Sequence, residues 1–552
     1  MTAACNGRLK LMPKIIIDNK EVECREGASV LEAALAGGWN VPHYCFHPGL
    51  KVVASCRLCL MEMKMPHPKT QELDWAPKLV PSCQTHVREG MEVRFDSDPV
   101  KKNVENCMEF FLLNHPLDCP VCDQAGECHL QDYSFEFGRA ESRMVDEKWK
   151  NPKKDIGPKT LLYQDRCVLC SRCIRFTEEI SGTHELTLVN RGSKLEIDVF
   201  PGFPLDNPLQ GNVVDVCPVG CLLDKDFLFK KRVWSLESTP SVCAGCATGC
   251  SIRVDHAERV VHRLKPRYNP KVNDWWMCDE GRFGYKYVHD DKRVTTPTVR
   301  RGLEDSTPEW ADLPGIIRYR LEENVQANGS EKVAAVLSPF MGCEEAWLLG
   351  KFIRDAAPDA TLVIGPIPRS GEDQTFPIGA TGDDIRFTIS QEKCPNRRGI
   401  EMVLEAAGGK TLDFEAFVAS ATAGAFSAAW VVGGYPAEWL DKKLAVKMAA
   451  KIELLIVQDI FENPLMGGAA VVLPACAWVE REGSFVNKAG LIQTFERAIS
   501  PPEGVPQDGA FFFALAGFEG LYTGERVREQ MAGKIPAFAD AYEAPLKPVH
   551  AH

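Results

Sequence analysis

The second half of this sequence has very little cysteine. Of the 22 cysteines in 552 residues, 19 lie at or before Cys278. The chain also has no surplus of basic residues, because its formal net charge is -12 and no lysine or arginine stripe offsets that balance. A nucleic-acid-binding surface needs basic side chains to neutralise phosphates, so this class of function is excluded.

Long apolar runs are absent as well. The longest uncharged run, residues 416–437, is rich in alanine, serine and glycine and contains Pro436, whereas a membrane span requires about 20 strongly apolar residues. In this run we predict a loop, then the strand Ala428–Val432, then a turn. Any association with a membrane is therefore expected to go through partners.

Targeting and nucleotide-binding signals are also missing. Residues 1–14 lack the apolar centre of a secretory signal and the arginine-rich pattern of a transit peptide. We therefore expect a reducing compartment, in which crowded cysteines act as metal ligands rather than as disulfides. There is no G-x-G-x-x-G motif after a strand and no P-loop, so nucleotide cofactors are expected to bind elsewhere.

The chain is long enough for several domains. A hairpin around Asn19, followed by a helix opening at the capping box Ser29 to Glu32, precedes a cysteine loop, which is the order of a plant-type ferredoxin module. Residues 96–150 are predicted to be helical around a second cysteine loop. From residue 293, helices (344–354, 440–450) alternate with strands (334–337, 361–364, 454–457, 470–473), which predicts an α/β domain with a parallel sheet. The expected domains are 12–95, 96–150, 151–235, 236–292 and 293–552.

The first set of cysteines is Cys45, Cys56, Cys59 and Cys83. A 2Fe–2S rhomb needs two thiolates per iron, and paired ligands in one loop with a later cysteine suit it. The first gap is longer than in the plant-type pattern, so this set is a variant. A structural zinc site with four thiolates is the alternative.

The second set comprises His115, Cys119, Cys122 and Cys128. The local run offers only three cysteines, so a cluster there needs one more ligand, and imidazole can bind cluster iron as it does in Rieske centres. Cys107 is the competing candidate for that position. The residues alone leave the choice open, since a lone histidine is more often an ordinary polar residue.

The third set is Cys167, Cys170 and Cys173 together with Cys217, which precedes Pro218. Three cysteines at two-residue gaps plus a remote Cys-Pro are typical of a 4Fe–4S site of bacterial ferredoxins. Thr177 stands where a further cysteine of that run would lie, so one cluster is expected. Cys221 is expected to be a buried thiol rather than a ligand.

The fourth set is Cys243, Cys246, Cys250 and Cys278, whose spacing also suits a 4Fe–4S cluster. A zinc ribbon is the alternative for this set. The cysteines outside the four sets are interpreted as core or surface thiols: Cys5, Cys24, Cys107, Cys221, Cys343, Cys394 and Cys476.

The order of these sets resembles that of a known family. The runs His-x3-Cys-x2-Cys-x5-Cys and Cys-x2-Cys-x2-Cys, together with the segment that runs from Cys278 to Tyr285, are similar to the large iron–sulfur subunit of bacterial NADH:quinone oxidoreductase, respiratory complex I. The segments 395–399 and 473–487 resemble the same family and the wider molybdopterin oxidoreductases. The resemblance extends from residue 14 to the C-terminal region.

The resemblance implies a multidomain protein with α+β and α/β parts. In order, it implies a β-grasp ferredoxin module, a helical one-His/three-Cys module, a bacterial-ferredoxin-like module, a small 4Fe–4S module and a molybdopterin-oxidoreductase-like α/β domain. It also favours His115 over Cys107, and implies one 2Fe–2S cluster on the first set and three 4Fe–4S clusters on the other sets. The function implied is that of an electron-relaying subunit of a translocating oxidoreductase, which passes electrons from NADH and flavin on partner subunits toward quinone. The implied location is the cytoplasmic face of a bacterial plasma membrane, reached through other peripheral-arm subunits.

The second half departs from the wider molybdopterin pattern. It is shorter than expected for a molybdenum domain, and no cysteine follows the fourth set closely enough to bind that metal, so no molybdenum is expected. Two alternatives to the complex I subunit are an iron–sulfur subunit of a soluble NAD-linked formate dehydrogenase or hydrogenase, and a non-redox zinc scaffold. A formate dehydrogenase or hydrogenase subunit would need further catalytic cysteine motifs after residue 293. Metal analysis would reveal a zinc scaffold.

Overall fold

The computed structural model describes residues 12–66, 72–301 and 304–544. Within these ranges the chain divides into two compact units. The first contains the residues up to Ser235 together with Pro377–Gly379, and the second contains Leu236–Phe376 and the residues from Ala380 onward. Cys5 lies outside the described residues.

The first unit begins with a mixed sheet and one helix. Its elements are β1 (Lys14–Ile17), β2 (Lys20–Glu23), α1 (Val30–Ala36), β3 (Leu60–Pro66), β4 (Leu73–Trp75), β5 (Val80–Pro81) and β6 (Glu92–Arg94). The strand order is β2-β1-β6-β3-β4, with β5 paired to β3, and only β1 and β6 run parallel. The predicted hairpin and capping box are confirmed, since the Glu32 amide donates to Ser29 Oγ at 3.2 Å and the Ser29 amide donates to Glu32 Oε2 at 2.7 Å.

The rest of the first unit is made of short elements. They are α2 (Asp98–Leu112), α3 (His129–Phe137), β7 (Lys154–Asp155), β8 (Thr160–Leu162), α4 (Arg172–Phe176), β9 (Leu186–Val189), β10 (Glu196–Val199), α5 (Asn212–Val216) and β11 (Leu222–Asp224). Strands β11, β8 and β7 form one small antiparallel sheet, and β9 pairs with β10. Helices α2 and α3 flank a cysteine loop as predicted, but the expected helical character ends at Gly138 rather than continuing to residue 150.

The second unit opens with a three-stranded antiparallel sheet of β12 (Glu237–Val242), β13 (Ser251–Ala257) and β14 (Val260–Pro266), followed by α6 (Asp279–Phe283). The α/β part then contains β15 (Thr298–Arg301), β16 (Glu304–Ser306), α7 (Leu313–Asn328), β17 (Val333–Leu337), α8 (Cys343–Ala356), β18 (Thr361–Ile364), β19 (Gln374–Phe376), β20 (Phe387–Ile389), α9 (Arg397–Ala407), β21 (Thr411–Leu412), α10 (Phe414–Thr422), β22 (Ala428–Val432), α11 (Lys442–Ala449), β23 (Leu454–Asp459), β24 (Val471–Pro474), β25 (Gly483–Val486), β26 (Ile492–Phe495), α12 (Asp508–Leu515) and α13 (Gly524–Ala532).

An eight-stranded sheet forms the centre of this α/β part. Its strand order is β16-β15-β24-β23-β22-β17-β18-β21. All neighbours from β24 to β21 are parallel, whereas β15 and β16 add an antiparallel edge. The inner strands β17, β22 and β23 are buried along their whole length, as expected for a sheet covered on both faces. The predicted α/β domain with a parallel sheet is confirmed.

The interpretation of residues 416–437 is partly wrong. The strand Ala428–Val432 is confirmed, but the residues predicted as the preceding loop belong mostly to helix α10. Asp413 caps this helix by accepting the Ala416 amide at 2.7 Å, and alanine is the best helix former. No helix in the described part of the chain is long and apolar enough to cross a membrane.

Candidate cluster sites

The first set gathers four cysteines that lie far apart in sequence. Cys45, Cys56 and Cys59 lie in the connection from α1 to β3, and Cys83 follows β5. Cys45 Sγ and Cys56 Sγ are 3.5 Å apart, and the Cys83 thiol is near enough to Cys45 and Cys59 to lower the pKa of both thiols. Three of the four are buried, at about 1% exposure each: Cys45, Cys59 and Cys83. The structure therefore brings together all four residues that the spacing predicted.

Backbone geometry turns this loop around the thiols. Ala54 and Arg57 adopt left-handed conformations, with φ of 49° and 60°, on either side of Cys56. The Tyr44 amide donates to Cys56 Sγ at 3.4 Å. A hydrogen bond from Cys83 lowers the pKa of the Cys59 thiol to about 7, which favours thiolate, the form that binds metal. In contrast, the contact with Cys45 and burial raise the pKa of the Cys56 thiol.

The second set lies between α2 and α3. Cys119 is exposed, Cys122 and Cys128 are buried, and His115 is half-buried just beyond the end of α2. Burial, helped by the charges of Arg166 and Lys148, lowers the pKa of His115 to about 4. The imidazole is therefore neutral near pH 7 and keeps a lone pair for a metal.

Cys107, the competing ligand for the second set, lies on α2. Its thiol contacts the Arg57 carbonyl at 3.9 Å and Asn103 Oδ1 at 3.8 Å. Arg57 adjoins Cys56 of the first set, so this thiol is directed at the first-set loop. The contact supports His115 as the fourth member of the second set.

The third set lies in the loop before α4, in α4 itself and at the residue that follows α5. Leu169 and Ser171 are left-handed, with φ of 51° and 60°, so the chain between Cys167 and Cys173 coils tightly. A small cavity is lined by all four predicted residues, Cys167, Cys170, Cys173 and Cys217, and also by Cys221. A four-thiol lining of this kind fits a 4Fe–4S cluster.

The second and third sets share a loop, residues 217–221. A Cβ atom added at Gly220 would lie 2.3 Å from Cys122 Sγ, so only glycine permits this approach. The His129 amide donates to the Pro218 carbonyl at 3.1 Å. The loop that carries Cys217 thus forms part of the wall behind Cys122.

Two buried arginines join the first and third sets. Arg175 donates to the backbone carbonyls of Cys45 and Lys51, and at 3.4 Å to that of Cys170. Arg172 donates to the Phe46 carbonyl and, at 3.3 Å, to the Val216 carbonyl. These contacts hold the two cysteine loops at a fixed separation.

The fourth set lies in the second unit, between β12 and α6. A small cavity is lined by its four cysteines together with apolar groups such as Met277, Phe387 and Ile389. The Gly245 amide donates to Cys243 Sγ and the Gly281 amide to Cys278 Sγ, both at 3.4 Å. Burial raises the pKa of the Cys243 thiol to about 12. Because buried thiolates need compensating positive charge, this apolar site suits cluster iron.

The remaining described cysteines have ordinary surroundings, except for Cys221 in the third cavity. Cys343 is buried in the α/β core and donates to Asn396 Oδ1 at 3.3 Å, and Cys476 donates to the Pro506 carbonyl at 3.3 Å. In the described ranges no three or more His, Cys, Asp or Glu side chains meet closely enough to hold a single metal ion.

A buried charge network in the α/β part was not anticipated from the sequence. Arg481 contacts Glu345 at 2.7 Å and Asp508 at 3.4 Å, and Arg528 contacts Glu344 at 2.7 Å. Burial, together with Glu345, raises the pKa of Asp508 to about 7. The network connects α8, α12, α13 and the segment after β24. Its members are far apart in sequence, so no local motif could have indicated it.

Five family models match successive parts of the chain. They are a 2Fe–2S iron–sulfur cluster binding domain over residues 12–98, an NADH-ubiquinone oxidoreductase-G iron–sulfur binding region over 105–143, an NADH-quinone oxidoreductase subunit 3 ferredoxin-like domain over 157–223, a molybdopterin oxidoreductase Fe4S4 domain over 236–290 and a molybdopterin oxidoreductase domain over 400–517.

Several known proteins are similar to this chain over 40% to 96% of its length. The G subunit of the NADH-quinone oxidoreductase of Rickettsia conorii is 28% identical over 96% of this chain and 91% of its own. The mitochondrial NADH dehydrogenase iron–sulfur protein 1 of Solanum tuberosum is 38% identical over 55% of this chain and 40% of its own. A solved NAD+-reducing [NiFe]-hydrogenase covers 40% of this chain and 91% of its own at 25% identity, with a TM-score of 0.35. The resemblance to the large iron–sulfur subunit of complex I that the cysteine motifs indicated is confirmed.

Proposed function

We propose that this chain is the iron–sulfur subunit of an NADH:quinone oxidoreductase and relays electrons from flavin toward quinone. The proposal rests on one observation: each of the four predicted ligand sets lies within a part of the chain that an iron–sulfur family model matches. The similarity to the Rickettsia conorii subunit over 96% of the chain supports the same function. The chain itself is a relay and has no predicted catalytic residue.

The ligand residues divide among four clusters. Cys45, Cys56, Cys59 and Cys83 would hold a 2Fe–2S cluster. The 4Fe–4S clusters would be held by His115, Cys119, Cys122 and Cys128; by Cys167, Cys170, Cys173 and Cys217; and by Cys243, Cys246, Cys250 and Cys278. Bound clusters supply one-electron outer-sphere transfer. The thiol-lined cavities of the third and fourth sets support this division.

The protein contributes spacing, insulation and tuning. Arg172 and Arg175 fix the first set against the third, and the residues 217–221 join the third to the second. Most of the cysteine side chains are buried, which limits contact between the sites and water. Backbone amides such as that of Tyr44 donate hydrogen bonds to sulfur and stabilise its negative charge. The neutral His115 in place of a thiolate makes its site less negative than an all-cysteine site.

The finer arrangement follows the family. We assign a β-grasp module, a one-His/three-Cys module, a bacterial-ferredoxin-like module, a small 4Fe–4S module and a shortened molybdopterin-oxidoreductase-like domain without molybdenum. Partners are the NADH-oxidising flavoprotein and other peripheral-arm subunits of complex I. The location we propose is the cytoplasmic face of a bacterial plasma membrane, reached through those subunits.

Metal and sulfide analysis of the purified full chain tests this proposal. Full occupancy gives roughly 14 iron and as many acid-labile sulfide per chain, with little zinc. Dithionite should produce EPR signals of one 2Fe–2S and three 4Fe–4S clusters. NADH should reduce them only when the partner flavoprotein is added. Stoichiometric zinc without sulfide would instead identify a structural scaffold.

A further inference from the structure

A buried arginine joins the loops of the second and third sets. Arg166 directly precedes Cys167, and its side chain is 2% exposed. Its guanidinium binds the carboxylate of Asp118, which directly precedes Cys119: Nη2 lies 2.8 Å and Nε 3.3 Å from Asp118 Oδ2. One ion pair therefore connects the neighbour of a second-set residue with the neighbour of a third-set residue.

The same arginine also contacts the loop of residues 217–221. Its Nη1 donates to the Gly220 carbonyl at 3.4 Å. The position that a Cβ atom would take at Gly220 lies 3.7 Å from Arg166 Cδ and 2.3 Å from Cys122 Sγ. The arginine stem and a second-set thiol thus face the same glycine, on the loop that also carries Cys217. The side chain is therefore held against both cysteine loops.

An aromatic ring fixes the place of the guanidinium. The guanidinium carbon of Arg166 lies 4.2 Å from the centre of the Tyr163 ring, a distance at which a cation is attracted to the ring face. The Arg166 amide donates to the Tyr163 carbonyl at 3.0 Å, and the Tyr163 amide donates to the Cys221 carbonyl at 2.7 Å. Because arginine stays protonated in proteins, this arrangement places a permanent positive charge between the two loops.

The two charges of the ion pair differ in their contact with water. The Asp118 side chain is 34% exposed, whereas that of Arg166 is almost fully buried. Water screens the carboxylate more than the guanidinium, so the positive charge acts more strongly on the interior. A cluster gains negative charge when it is reduced, and a nearby positive charge favours that state and raises the reduction potential.

We propose that Arg166 is a positioning residue for the second and third sets, whose fixed positive charge raises the reduction potentials of the clusters held there. The inference rests on the proposed function, since it requires clusters on both sets. It adds to that function a residue that binds no iron and yet sets the driving force for electron transfer between two neighbouring sites. Asp118 opposes this effect, because its charge partly neutralises that of the arginine.

Redox titration of the cluster-loaded full chain, followed by EPR, tests this role with charge changes of opposite sign. Arg166→Gln removes the positive charge, so the midpoint potentials of the second- and third-set signals should shift downward. Asp118→Asn removes the opposing negative charge, so the same potentials should shift upward. Both variants break the same contact, and a role in shape alone would give them shifts of one sign. Arg166→Lys keeps the charge and should stay closer to wild type than Arg166→Gln.

The control for simple loss of a cation is Lys64→Gln. Lys64 pairs with Glu92 at 2.7 Å between β3 and β6, and both side chains are partly exposed. No potential of a 4Fe–4S signal should shift in this variant.

Several outcomes would overturn the inference. Unchanged potentials in Arg166→Gln with full iron content would show that the charge does not act on the clusters. A downward shift in Asp118→Asn would assign the effect to altered loop shape, and this variant decides the matter if Arg166→Gln loses iron. If wild-type protein itself lacks the signals of the second- and third-set clusters, the proposed function fails at these sites, and that result is distinct from an unshifted potential.

Discussion

Arg175 donates a guanidinium N–H to the backbone carbonyl of Cys45, 130 residues earlier in the chain. The same side chain donates to the carbonyls of Lys51 and Cys170, so it connects the first-set loop to the third-set loop. Burial lowers the pKa of this guanidinium, which means that the contact is made at some desolvation cost. The hydrogen bonds of this guanidinium must therefore offset the free-energy cost of removing its charge from water.

Replacing Arg175 by Ala should therefore destabilise the first unit. The carbonyls of Cys45 and Cys170 would lose a buried donor, at a cost of about 1–3 kcal/mol. Thermal unfolding of the full chain should show a lower Tm, and the EPR signal of the 2Fe–2S cluster should broaden. Arg143→Ala is the matched control, because its pair with Glu109 is screened by solvent and should contribute little to stability. Equal effects of the two variants would contradict the connecting role.

Replacing His115 by Cys should lower the potential of the second-set cluster. A thiolate adds negative charge where the neutral imidazole adds none, and this disfavours a further electron. EPR-monitored redox titration measures the shift. A raised or unchanged potential, with the cluster retained, would contradict His115 as a ligand.

Replacing Gly220 by Ala should remove the second-set cluster. The added Cβ would lie 2.3 Å from Cys122 Sγ, so the thiol has to move away from its partners. Iron content should fall by at least about four per chain. Gly315→Ala is the control, since a Cβ there meets no atom within 4 Å. Full iron content in Gly220→Ala would show that Cys122 is not a ligand in this position.

The charge network predicts how stability depends on pH. The pKa of Asp508 is about 7 in the folded chain against 3.8 for the ordinary group, so the folded state holds a proton that the unfolded state releases between these values. Stability from this group should fall as pH rises through that window, by about 1.4 kcal/mol per pH unit, and level off above it.

Thermal unfolding of the full chain at several pH values measures this dependence. Asp508→Asn should flatten the decline of Tm between pH 5 and about 7, because the amide does not titrate. Asp355→Asn is the control, since Asp355 forms an exposed pair with Lys351 and should leave the slope unchanged. An identical slope in Asp508→Asn and wild type would assign the decline to other groups.

Local features of the fold could be read from the sequence. The capping box at Ser29 fixed the start of α1, and apolar runs placed β18 and β22 at their observed residues. The sequence prediction misses helix α10 because it groups this segment with the glycines and the proline that follow it. The Asp413 cap and the burial of Phe417 favour the helix. These features depend on neighbours in sequence or on one strong pattern.

Features that depend on distant residues could not be read in this way. The cysteine spacings predicted the four sets, and the structure brings the first-set thiols together and lines two cavities with the third and fourth sets. The contact between Arg175 and Cys45, the approach of Gly220 to Cys122 and the ion pair of Arg481 with Glu345 join residues that no local period relates. The ligand assignments themselves stay predictions until metal and EPR data test them.

The loop of residues 217–221 has a consequence for how the protein is assembled in the cell. Because it carries Cys217 of the third set and lies against Cys122 of the second, we expect that filling one site alters the shape of the other. We therefore expect cluster delivery to the second and third sets to be cooperative, so that chains with both sites filled or both vacant outnumber half-loaded ones. Oxidative loss of the cluster at either site would then require that both clusters be rebuilt.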